Sequence, residues 1–117
     1  MEKVVVLSFA RLSADAGRAG EVVEVLRSIV GPTLAQPGCR ACDVWLKADD
    51  PESILLLEEW ETVADLVRHL RSVLYRRVLS AMEMASAEPR ICFVEAAEVH
   101  GIEWIAWARS RPAGTSA

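Results

Sequence analysis

The chain has 117 residues, enough for one domain and too few for two. It is 52% hydrophobic and 26% charged with a mean hydropathy of +0.21, apolar for so small a domain, which points to a buried subunit contact or a large internal cavity. The formal charge of −4 excludes a general affinity for polyanions, no apolar run is long enough to span a bilayer, and the one basic cluster (Arg68, Arg71, Arg76, Arg77) comes with no nucleic-acid motif and reads as a solvated helix face.

Lys3 to Arg11 is rich in β-branched residues and almost continuously apolar, the pattern of a central strand buried on both faces. The preceding Met1-Glu2-Lys3 lacks a signal-peptide pattern, so the expected location is the cytoplasm. Ser13 to Asp15 offers helix-start chemistry. Val22, Val23, Leu26, Ile29 and Val30 then recur at helical spacing, with Glu21, Glu24 and Arg27 on the outer side. Gly31-Pro32 predicts a kink or restart, and Pro37-Gly38 a turn.

Cys39 to Lys47 reads as a second strand, with Cys42, Val44 and Leu46 on one face and Asp43 and Trp45 on the other. A polar turn over Ala48 to Glu52 leads into a third strand, Ser53 to Trp60, the partner of the second in a hairpin. Its alternation sets Ile54, Leu56, Glu58 and Trp60 on one side and Leu55, Leu57 and Glu59 on the other, so both faces begin apolar. Thr62 is placed to cap a helix with the stripe Val63, Leu66, Val67, Leu70, and helical spacing continues or resumes through Met82. A fourth strand is expected over Arg90 to Val99, then a short amphipathic helix carrying Trp104 and Trp107, packed on the body or on a partner chain.

The order strand, helix, strand, strand, helix, strand predicts an α+β, ferredoxin-like βαββαβ fold with a four-stranded antiparallel sheet and both helices on one side. We expect a single domain over residues 1–109 and a flexible tail over residues 110–117. The helices leave one apolar sheet face bare, and a second copy of the sheet is its simplest cover, hence an expected homodimer.

Three chemistries are open to these residues. Trp60 could wall a pocket for a planar ligand, or simply pack the end of its strand. His69, beside the helix stripe, could take a proton from a phenol, or brace the helix through a hydrogen bond. Glu58 shares the Trp60 face and could orient His69, bind a substrate hydroxyl or pair with an Arg. Trp45 and Tyr75 are second-rank pocket candidates. Cys39-Arg-Ala-Cys42 matches C-x-x-C, but it opens a strand, where residues three apart point to opposite faces, whereas a redox pair needs a helix N-terminus. No second pair of ligands completes a metal site around it, so structural thiols are expected and no metal.

Pro32-Thr33 before Pro37-Gly38-Cys39, Glu58-Glu59-Trp60, His69 within Leu66 to Leu70, and Glu98 to Ile105 together resemble the antibiotic biosynthesis monooxygenase family of dimeric α+β barrel proteins. The resemblance spans Val4 to Arg109. It implies a ferredoxin-like protomer, a dimer through sheet faces, and a pocket between sheet and helices. It also implies, for some members, oxygenation of phenols or quinols by molecular oxygen with no metal or organic cofactor. The haem-degrading relatives place an Asn on the first strand, a Trp on the second helix and a ligating His after it; here the first strand has no Asn, and His69 and Leu79 stand at the other two places. The expected function is a cofactor-independent monooxygenase for an electron-rich aromatic, with His69 as base and Trp60, Glu58, Trp45 and Tyr75 around the ligand. The alternatives are a non-catalytic small-ligand module of the same shape, and a thiol- or metal-dependent protein using Cys39 and Cys42.

Overall fold

The computed structural model describes residues 5–112. Strand β1 (Val5–Ser13) leads into helix α1 (Ala19–Leu34), then the hairpin β2 (Cys39–Lys47) and β3 (Asp50–Trp60). Helices α2 (Val63–Leu70) and α3 (Tyr75–Glu83) follow, then β4 (Arg90–Ala96) and α4 (Glu103–Arg109). The strands form one antiparallel sheet in the order β2-β3-β1-β4, the ferredoxin-like arrangement. The expected tail falls outside the described residues from position 113 on. No helix among the described residues is long and apolar enough to cross a membrane.

Register decides which side chains meet. Val6, Ser8, Ala10 and Leu12 face Trp60, Glu58, Leu56 and Ile54 in turn, and all eight are buried beneath the helices. The α1 stripe Val22, Leu26, Ile29 and Thr33 closes over them, with Val78 and Ala81 of α3 alongside. The other residues of the same strands, Leu7, Phe9, Leu55 and Leu57, lie on the uncovered face and are only partly buried. The helix layer also stops short of β4, leaving Ile91 and Phe93 exposed on the helix side.

Four local expectations change. Pro32 lies inside an unbroken α1, two residues before its end, where it withholds a bond from the Ser28 carbonyl one turn back without ending the helix. The helix starts at Ala19, later than Ser13 to Asp15 suggested, with no side-chain cap at Arg18. The second helical stretch resumes, as expected of one alternative, in a separate helix after Arg71 to Leu74, whereas β4 ends at Ala96, short of Val99. Helix α4 has no buried residue, and Trp104 and Trp107 pack on each other (5.2 Å between ring centroids) instead of on the body. His100 and Arg111 extend that stack at its two ends. The projecting arm raises the radius of gyration to 16.9 Å, against about 13 Å for a compact chain of this length.

Candidate functional site

Strand parity turns Glu58 and Trp60 inward, and helical spacing brings His69, three residues after Leu66, down onto them. Thr62 starts α2 as the sequence predicts, its hydroxyl oxygen accepting the Asp65 backbone N–H at 3.0 Å. The loop before β2 closes against this same turn. Gly38 adopts φ +81°, and a Cβ there would collide with the Asp65 carboxylate. That close approach sets Gln36 over His69.

The result is a chain of hydrogen bonds through the interior. The Trp60 indole N–H donates to Glu58 Oε1 at 3.0 Å. Glu58 Oε2 lies 3.1 Å from His69 Nε2, and His69 Nδ1 lies 2.7 Å from Gln36 Oε1. The Gln36 amide can turn either its oxygen or its NH2 group to Nδ1, so the ring donates there or, in the other tautomer, donates through Nε2 to Glu58. The imidazole stacks on the Trp60 ring at 4.8 Å and meets Tyr75 edge-on at 5.2 Å. Both side chains of the Glu58–His69 pair are 0% exposed, and Trp60 is equally buried. Gln36, half-buried, connects the chain toward the surface.

Four of the five expected site residues therefore come together: Glu58, Trp60, His69 and Tyr75. Trp45 does not. It lies on the uncovered face of the sheet, 56% exposed, because its strand alternation opposes that of Cys42. Gln36 is the member that sequence reasoning missed; it is 33 positions from His69, and no periodicity links a loop amide to a helix imidazole.

The cysteines need one correction. A bulge between Cys39 and Ala41 pairs Cys39 with Trp60 and Cys42 with Glu58, so both thiols face the helix side rather than opposite sides. Burial, and then the nearby Glu58 carboxylate, push Cys39 up to about 11 and Cys42 up to about 12. Burial and Glu58, in the same order, raise Tyr75 to about 12. These are unreactive thiols, opposite in character to a redox pair. Unfolded thiols ionise near pH 8.5, so from there upward the unfolded chain sheds protons that the folded one keeps, and stability falls as pH rises through about 11 to 12. We expect the urea midpoint to drop steadily between pH 8.5 and 11, and Cys39 and Cys42 to resist iodoacetamide at pH 8 until the chain is denatured. Rapid alkylation of either in the folded protein at pH 7 would restore the thiol reading. Among the described residues, no group of three or more His, Cys, Asp or Glu side chains is arranged to hold a metal ion.

The nearest open apolar hollow is a groove of about 390 Å³ between α2 and β4, lined by Val6, Val63, Leu66, Leu70 and Phe93 among others. Val6, Leu66 and Leu70 also pack against Trp60. One layer of side chains thus divides the groove from the buried cluster.

The family model for antibiotic biosynthesis monooxygenases matches residues 5–81. The chain belongs to that family. The matched stretch contains every member of the cluster from Gln36 to Tyr75, whereas β4 and α4 lie beyond it. Among solved structures, a candidate antibiotic biosynthesis monooxygenase from Deinococcus radiodurans is similar at 24% identity, with 83% of this chain and 97% of that one covered and a TM-score of 0.75. A second from Nitrosomonas europaea is 18% identical, covering 86% and 97%, with a TM-score of 0.74. A conserved protein from Methanosarcina mazei Go1 is 22% identical, covering 79% and 92%, with a TM-score of 0.73. At these identities the likeness establishes the fold of this monooxygenase-family chain. No curated protein matches it at a significant level.

Proposed function

We propose that the protein is a monooxygenase that oxidises an electron-rich aromatic, an anthrone- or quinol-type phenol, with molecular oxygen and without a metal or organic cofactor. The observation that carries this reading is the Glu58–His69 pair, 0% exposed and stacked against an indole. Burying two ionisable groups costs far more than packing two apolar ones, so such a pair points to use of its proton chemistry. The groove between α2 and β4 is large enough for a polycyclic phenol, and the ligand reaches the pair by displacing Leu66 and Leu70. The pair takes the phenolic proton, with His69 as base and Glu58 holding its ring. The phenolate passes one electron to oxygen, and the resulting radicals combine at carbon. An anthrone methylene becomes a carbonyl while the second oxygen atom leaves as water, so no external reductant enters. Trp60 and Tyr75 orient the rings and exclude water; Trp45, on the other face, has no part in this reading.

Two copies associate in this proposal through their bare sheet faces, whose apolar centre (Leu7, Phe9, Leu55, Leu57) no element among the described residues covers. The sealed interior favours a second reading, a binding module without catalysis. Oxygen uptake with a panel of anthrones and hydroquinones separates the two. The wild-type protein is expected to consume oxygen at least about a hundredfold faster than Glu58→Gln, which keeps the shape of the pair and changes its proton. Binding without consumption supports the module, and equal uptake by both proteins overturns the base assignment.

A further inference from the structure

Trp45, which the proposed oxidation does not use, stands in a row that crosses the whole sheet on its bare face. It is in register with Leu55 on β3, Leu55 with Arg11 on β1, and Arg11 with Arg90 on β4. One rung thus carries an exposed indole, an aliphatic floor and two guanidinium groups side by side. A hollow of about 500 Å³ opens over this rung, within the ~300–1,000 Å³ usual for small-molecule sites.

The charge of the hollow is opposite to that of the chain. The formal net charge is −4, yet the hollow is lined by Arg11, Arg90 and Lys47 against a single carboxylate, Glu88. Lys47 lies 4.0 Å from Asp49 and is partly neutralised. The two arginine side chains have no hydrogen bond or ion pair among the described residues. Like charges directly across two strands repel. An anion placed between two guanidinium forks removes that repulsion and accepts hydrogen bonds from both. Ser13 and Ser53, in register with each other, add hydroxyl groups at the same end of the sheet. Trp45 and Arg11 are two strand spacings apart, about 10 Å, with Leu55 between them. A fused bicyclic ring bearing one carboxylate spans that interval.

We propose that this hollow binds a small planar aromatic carboxylate, its ring on Leu55 beside Trp45 and its carboxylate between Arg11 and Arg90. The site lies across the sheet from the Glu58–His69 pair and is independent of any oxygen chemistry. Leu55 is the outermost member of the apolar centre through which two copies associate in the proposal above, so the ligand sits at the rim of that contact. Isothermal titration calorimetry of the full chain with 2-naphthoate, and with its neutral analogue 2-naphthamide, tests the site, while circular dichroism confirms that each variant folds. The acid is expected to bind at least about tenfold tighter than the amide. Arg11→Gln and Arg90→Gln are each expected to weaken the acid at least about fivefold, and Trp45→Ala about as much through loss of the stacking face. No binding of naphthoate, equal binding of acid and amide, or indifference to both arginine changes overturns the site. So does loss of binding in samples that sedimentation equilibrium shows to be dimeric, since a partner's sheet would then fill the hollow.

Discussion

His69→Ala is expected to lower the unfolding free energy by about 3–5 kcal/mol, the usual loss when one member of a buried ionisable pair is removed. Glu58, 0% exposed, would keep its indole donor and lose its other side-chain partner among the described residues. The Gln36 amide would lose its partner as well. Replacing both members by apolar residues removes the unpaired charge, so the double variant E58L/H69L is expected to recover most of the loss or to exceed the wild-type protein by about 1–4 kcal/mol. On the proposed function it would have no oxygenase activity. Urea titration of the three proteins ranks them, and a double variant no more stable than His69→Ala would mean that the pair itself holds the fold together. That result would also weaken the functional argument, which depends on the pair being costly to keep.

Trp60→Ala should be nearly as damaging, about 3–5 kcal/mol, because the ring is fully buried where β3 ends and α2 begins. Trp60→Phe separates packing from hydrogen bonding. It retains most of the ring and deprives Glu58 Oε1 of its donor, so about 1–3 kcal/mol of the loss should remain. Fluorescence offers a direct check. The other tryptophans, Trp45, Trp104 and Trp107, are between 38% and 56% exposed, so the blue-shifted emission that acrylamide does not quench should vanish in Trp60→Phe and little else should change. Persistence of that component would place Trp60 near solvent and open the cluster to ligands without any movement of α2.

Where alternation or helical spacing applied, the sequence was a sufficient guide. The period of two along Ile54 to Trp60 placed Glu58 beside Trp60 on the helix side, and helical spacing put His69 on the Leu66 side of α2, while Val63 and Val67 of the expected stripe stay exposed. Both signals are local, and burial of one face gives them a clear energetic meaning. The bulge after Cys39 escaped the same reading, since one extra residue reverses parity and no residue type announces it. Gln36 escaped because its partner is supplied by a loop closing on a helix. The side of the sheet on which Trp45 falls was legible, but which side holds the cluster is settled by where the helices pack.

The order of elements, the two-sided apolar sheet and the membership of Glu58, Trp60, His69 and Tyr75 in one interior region follow from short-range patterns in the chain. Only the tertiary structure decided that these four are sealed from solvent, that one loop amide reaches the imidazole, that the helix layer leaves a groove at β4, and that α4 stands off the body. Periodicity specifies the direction of a side chain relative to its own backbone. Exposure and hydrogen-bond partners depend on which other surface arrives there, and that is fixed by packing between segments distant in sequence.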